Sequence, residues 1–226
     1  MRKITKPCES KESKYIFSEG INYFKTGNIS IWGSGDKKTL DVLKRIKIKG
    51  KWLNLAAGDG RYNLYLLKKV DFVIVSDIDK GALSKLWHTT PLKYRHKLDT
   101  KIFDINNKFP FHDNLFDGVF CTGVLHLFPK KILRKIVSEI DRILKPKGRV
   151  IIDFATNIKR TLPNGKLLVF DSEPLYSLSE AKEILKKLFK NYRIKMYESK
   201  FVEDVKKSNP PYVMNCKFII LIADKK

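Results

Sequence analysis

The chain has 226 residues, 43% hydrophobic and 31% charged, and its 46 Lys and Arg against 24 Asp and Glu give a formal charge of +22. That composition suits one folded unit with a sizeable core, and the longest purely apolar run, Phe218 to Ala223, is far short of the ~18 residues a membrane helix needs. Cys8, Cys121 and Cys216 show no paired spacing and no nearby His pair, which argues against a zinc site or a disulfide framework, and MRKITKPCESKESKYIF lacks an apolar stretch of signal-peptide length. The expectation is a cytoplasmic protein with free thiols, no metal and no membrane partner.

The charge has two readings. Cationic surface attracts nucleic acid through counterion release. Yet only 9 of the 46 basic residues are Arg, and the Lys residues run evenly from Lys3 to Lys226 instead of forming a block. A Lys-rich chain without Gln equally fits genome composition or life at high temperature. Both readings stay open.

In chain order, residues 1–48 carry Tyr15, Phe17, Tyr23, Phe24 and Trp32 and read as two helices around IWGSGD, a cap packed over the sheet of the main unit. Residues 49–226 read as that main globular unit. KWLNLAA (51–57) is a buried strand ended by GDG, 61–70 a helix, DFVIVSD (71–77) a second strand, and 79–91 a helix closed by Pro91. KIFD (101–104) and FDGVFCTG (116–123) are strands three and four. A helix over 130–144 carries apolar residues at 132, 133, 136, 137, 140, 143 and 144. KPKG (145–148) reads as a turn, RVIIDFAT (149–156) as strand five, 159–167 as a loop and 179–189 as a helix. Final strands fall at 192–201 and 216–223. Strands apolar on both faces and separated by helices imply a doubly wound α/β domain with a mostly parallel sheet.

In such a sheet ligands bind outside the carboxyl ends of the strands. The first strand-to-helix turn, LNLAAGDGRY, offers the small residues Ala56, Ala57, Gly58 and Gly60, which let backbone approach a ligand closely. A dinucleotide fingerprint fails, because Asn63 falls where a third Gly is needed.

The run resembles the first motif of the class I S-adenosylmethionine-dependent methyltransferases, an acidic residue two positions ahead of a GxGxG turn, and the resemblance extends over about residues 50–157. It implies S-adenosylmethionine as cofactor and a seven-stranded sheet of order 3-2-1-4-5-7-6 with the last strand antiparallel. It also implies that Asp77, with Ile78, holds the ribose hydroxyls and that Asp104 and Ile105 hold the adenine. Thr122 and Gly123, small residues ending strand four, complete the implied cofactor contacts, while NKFPFHDNLFDGVF and ILKPKGRVIIDF match the family's approaches to strands four and five. Two positions depart from the pattern. Asn54 stands where the family has an acid that meets the cofactor's ammonium, and Ala56 replaces the first Gly, a substitution expected to need negative φ.

Methyl transfer from a sulfonium needs alignment of the nucleophile and removal of its proton, and no fixed triad. His126, just after strand four, suits a general base or a packed histidine at a helix start. Asp153, among apolar residues of strand five, is either its supporting partner or a structural carboxylate. Asn209-Pro-Pro-Tyr212 resembles the loop with which amino-group methyltransferases hold a nitrogen, but the family's slot for that loop holds CTGVLHLF (121–128) here. It reads as a turn, or as a rim of the acceptor pocket through Asn209 and Tyr212. Trp32, Asp36 and Tyr15 either close over a substrate or pack in the core.

The expected activity is a methyltransferase of the EC 2.1.1 type acting on a small-molecule acceptor. Three alternatives are a tRNA or rRNA methyltransferase, a non-catalytic cofactor-binding partner subunit, and an aminopropyltransferase. The last needs acidic residues after strand four that CTGVLHLF lacks.

Overall fold

The computed structural model describes residues 2–4, 9–10, 13–17, 22–170, 173–205 and 211–226. Short N-terminal strands β1 (Arg2–Ile4), β2 (Glu9–Ser10) and β3 (Ser13–Phe17) precede a 3-10 turn at Tyr23–Lys25 and helix α1 (Lys37–Arg45). The alternating unit comes next: β4 (Lys51–Leu55), α2 (Asn63–Leu67), β5 (Phe72–Asp77), α3 (Lys80–Thr89), α4 (Leu92–Arg95), β6 (Leu98–Ile102), β7 (Phe116–Cys121), α5 (Lys130–Ile143) and β8 (Leu144–Thr161). The chain closes with β9 (Leu167–Phe170), α6 (Leu178–Leu188), β10 (Tyr192–Val205) and β11 (Tyr212–Lys225).

The sheet runs β6-β5-β4-β7-β8-β11-β10, parallel from β6 to β8, with β11 antiparallel to both of its neighbours. This is the expected order. Apolar side chains on both faces of the central strands explain it, because each face is buried under a different helical layer. On one face Ile136, Ile140 and Ile143 of α5 and Leu185 of α6 pack against Leu53, Val119 and Ile152; on the other, Leu43, Leu66, Leu83 and Leu86 pack on Trp52, Val73 and Ile151. The close approach of β4 and β7 requires Gly118. A Cβ there would meet the Trp52 indole, its partner in register, at 2.3 Å.

Several sequence expectations are corrected. Among the described residues the seven expected strands are joined by two more, since β9 and β1 add to the far end of β8. Residues 145–148 are not a turn between elements but an irregularity inside β8, where the register with β7 shifts and Lys147 takes φ +62°. The expected loop at 159–167 is mostly strand: β8 continues to Thr161, β9 starts at Leu167, and Leu162 and Lys166 close the turn with a backbone bond of 2.9 Å. Of the two helices expected in residues 1–48, the structure has α1 and, among the described residues, only a 3-10 turn besides.

The overshoot of β8 positions the site. Its pairing with β7 ends at Cys121 opposite Ile152, but β8 continues to Thr161, still paired with β11 through Val213. A wall of strand therefore rises above the carboxyl edge of the parallel sheet, beside the place where the β4 turn opens.

Candidate active site

β4 delivers its turn between β5 and β7, and Ala57 N–H donates to Ser76 O at 2.8 Å, tying the turn to β5. Gly58 (φ +54°) and Gly60 (φ +88°) take left-handed conformations; a Cβ on Gly60 would meet Leu86 of α3 at 2.7 Å. Ala56 also takes positive φ, +52°, so the expectation of negative φ there is wrong. The bend keeps the conformation a glycine would have, and the alanine bears the strain.

At the end of β5, Asp77 receives Gly58 N–H on Oδ2 at 2.7 Å and Asp79 N–H on Oδ1 at 3.0 Å. The two bonds fix the carboxylate plane and leave each oxygen a second lone pair. Burial nevertheless pushes the Asp77 carboxyl up from its ordinary value, against the pull of those amides. The Asp79 side chain caps α3 through Gly81 and Ala82.

The aspartate of GDG faces away from the bend's open side. Asp59 is buried and ion-paired with Lys85 of α3 at 2.9 Å. It also accepts from Ser30 Oγ at 2.5 Å and Ile31 N at 2.8 Å, while Lys85 donates to Thr26 Oγ1 and Ile29 O, both at 2.8 Å. A segment from Thr26 to Ile31 is thereby held over the turn. Arg61 continues the link by donating to Trp32 O at 2.7 Å. Asp36 caps α1 through Thr39 N and accepts from Ser199 Oγ of β10 at 2.6 Å, which gives it a structural role.

These elements enclose a cavity of about 300 Å³. Of the residues singled out from sequence, Asn54, Ala56, Ala57, Gly58, Asp77 and Ile78 line it, as do Ile105, Thr122, Gly123, His126, Trp32 and Tyr212. Trp32 is 39% exposed, so it forms a lip and is not core packing. Asn54 donates from Nδ2 to Asn63 Oδ1 at 3.1 Å. His126 is buried, with its ring edge-on to Phe154 at 6.3 Å between centroids.

Gly60, Asp104 and Asp153 stand outside the lining, for different reasons. Gly60 is turned toward α3. Asp104 is buried with Oδ1 accepting from Asn106 N at 2.8 Å, while Oδ2 has no hydrogen-bond partner among the described residues. Asp153 lies behind Gly123, whose N–H donates to its Oδ1 at 2.6 Å, and burial pushes its carboxyl up to about 6. Residues 206–210, Asn209 among them, lie outside the described residues, and Tyr212 opens β11.

Sequence reading missed a second group. Arg160 and Glu173 form a buried bidentate pair, Nη1 to Oε2 at 2.7 Å and Nη2 to Oε1 at 2.8 Å, and both line the cavity. Phe201, Met214 and Phe218 line the same end. The pair left no local signal, because its members are far enough apart in sequence to meet only through the β8–β9 hairpin.

Residues 53–152 match the family model described as "Methyltransferase domain". Among solved structures, the YcgJ protein from Bacillus subtilis is similar at 16% identity and TM-score 0.64, covering 83% of this chain and 97% of its own. An S-adenosylmethionine-dependent methyltransferase from Methanosarcina mazei is similar at 19% identity and TM-score 0.58, with 82% and 96% covered. The DhpI–SAH complex is similar at 20% and 0.56, with 82% and 81% covered. No curated protein matches significantly. Residues 53–152 thus match the model of a methyltransferase domain, and the solved structures show the same fold.

Proposed function

We propose that the protein is an S-adenosylmethionine-dependent methyltransferase for a small-molecule acceptor. The observation that carries this is the Gly58–Asp77 bond at 2.7 Å on the lining of the cavity. It holds a two-oxygen acceptor beside an open backbone bend, the arrangement that a vicinal diol requires.

The residues fit the cofactor. A Cβ at Gly58 would project toward the Trp32 indole, 3.3 Å from its nitrogen, so a side chain there would crowd the space between bend and lip. Asp77 would accept from the ribose hydroxyls, and Ile105, on the lining, would border the adenine. Asn54 would offer an amide oxygen to the ammonium. When bound, S-adenosylmethionine supplies a methyl group already activated by its sulfonium.

The chain's own contribution is orientation, water exclusion and proton handling. His126 stands on the lining just beyond β7, placed to hold a proton from an acceptor oxygen or nitrogen. Phe128, Phe201 and Phe218 line the same cavity with apolar surface and limit the water that competes for methyl. The Thr26 to Ile31 segment, bound to Asp59 and Lys85, keeps the lip in place.

The test is incubation with methyl-labelled S-adenosylmethionine and fractionated extract. Label in a small-molecule fraction supports the proposal. Label confined to nucleic acid moves the acceptor to RNA, and no turnover despite cofactor binding points to a partner-subunit role.

A further inference from the structure

The far end of the cavity, built by the β8 overshoot and the start of β11, has a chemistry distinct from the bend. Phe201 and Phe218 meet edge-to-face at 5.1 Å between centroids, with Met214 beside them on the lining. Such surfaces favour flat apolar ligands. Into this apolar end project the Arg160–Glu173 pair and Tyr212, whose ring centroid lies 6.0 Å from the guanidinium.

The pair is held in place from both sides. Glu173 belongs to a segment fastened to β8, where Asn157 N donates to Tyr176 O at 2.9 Å and Leu178 N to Asn157 Oδ1 at 2.8 Å. Arg160 sits in β8 itself, opposite Met214 in register. A buried ion pair of this kind is a weak source of stability, since apolar residues of similar volume often do as well. Its position on a ligand-sized cavity gives it another use.

We infer that Arg160 and Glu173 together anchor the methyl acceptor, and that the acceptor is an uncharged planar molecule with one group that both accepts and donates a hydrogen bond, as a phenol or a carboxamide does. The inference rests on the methyltransferase reading of the cavity and narrows its substrate class. The charge balance decides between ligand types. A carboxylate would gain from Arg160 but press against the carboxylate bound to it by two hydrogen bonds, and a cation would meet the guanidinium in the same way. A neutral group can accept from one partner and donate to the other without breaking the pair.

Calorimetric titration with 2-naphthol, 2-naphthoate and 2-naphthylmethylammonium, at saturating S-adenosylhomocysteine, tests this. The neutral probe is expected to bind at least tenfold more tightly than either ion. The double variant Arg160→Met/Glu173→Met deletes both charges at once and so leaves neither buried alone. It is expected to keep its affinity for S-adenosylhomocysteine and to lose at least tenfold in affinity for 2-naphthol. Equal or tighter binding of a charged probe, no binding of any probe, or unchanged 2-naphthol affinity in the double variant overturns the inference. Repeating the titration without S-adenosylhomocysteine separates the two readings. Failure of the wild-type protein to bind that compound sinks the methyltransferase proposal, while probe selectivity still judges the anchor.

Discussion

Asp59 and Lys85 form a buried ion pair at 2.9 Å that joins the glycine bend to α3 and, through Ser30, Ile31, Thr26 and Ile29, to the segment above it. The motif residue flanked by two glycines therefore serves as a bolt, leaving the surrounding backbone to face the cavity. Removing one partner strands the other as a buried charge. Asp59→Ala or Lys85→Ala should each cost about 3–5 kcal/mol, read as a shift in urea midpoint. S-adenosylhomocysteine affinity should fall with it as the segment loosens.

Ala56 offers a change in the opposite direction. An L-residue in the left-handed region carries roughly 1–2 kcal/mol of strain, and the extra unfolded-state freedom of a glycine costs about 0.5–1 kcal/mol. Strain wins, so Ala56→Gly should stabilise the fold by about 0.5–1 kcal/mol with an unchanged denaturant slope. A lower midpoint would mean that the bend relaxes from φ +52° at no gain.

For Asp77 the two functions of the carboxylate can be separated. Asn at this position keeps one oxygen for Gly58 N–H but cannot accept through both arms, whereas Ala loses the bend's anchor as well. We expect S-adenosylhomocysteine affinity to drop about tenfold or more in Asp77→Asn and further in Asp77→Ala, with stability loss mainly in the latter, about 1 kcal/mol per lost hydrogen bond. Calorimetry and urea unfolding together check this.

The domain's central strands were legible from sequence because residues such as Val73, Val75, Val119 and Ile151 are buried from both sides and leave continuous apolar runs. The bend and Asp77 were legible because small residues and a strand-end acid keep fixed spacing. What stayed hidden depends on chain segments that meet only in three dimensions. The 159–161 stretch, Lys-Arg-Thr, reads as loop; in the fold it is strand, with Arg160 on the cavity. Lys85 lies a helix away from Asp59, and Glu173 lies across a hairpin from Arg160, so no local pattern announces either pair.

Asp153 sets a pH dependence whose sign is defined. Burial raises its carboxyl from 3.8 to about 6, against the lowering effects of Gly123 N–H and Arg61. The protonated acid is the form the fold prefers, so its contribution is complete below pH ~4 and is lost as pH rises through about 6. A displacement of about 2 pKa units corresponds to roughly 3 kcal/mol. Asp77 shifts in the same direction, while paired carboxylates such as Asp117 and Asp224 shift downward and act oppositely. The difference between wild type and Asp153→Asn isolates the one group. Unfolding free energies at about pH 4 and about pH 7 should show the variant gaining relative stability as pH rises.

For His126, which lines the cavity, replacement by Asn should lower kcat about 100-fold or more when the acceptor must be deprotonated, with S-adenosylhomocysteine affinity nearly unchanged. The alkaline recovery of rate that a general base produces should vanish with it. An equal loss in cofactor affinity would instead make His126 part of the cofactor's binding surface.

One strand, bulged at Asn157 (φ +52°) and Ile158 where its register with β11 shifts, joins Ile152, fully buried beneath the sheet's edge, to Arg160 at the far wall of the cavity. As long as β11 remains paired to it, its backbone is protected from proton–deuteron exchange, while the reversal at 162–166 stays accessible. The contour this wall gives the cavity is therefore set when the chain folds. Altered preference can then arise by exchanging side chains along one rigid rail.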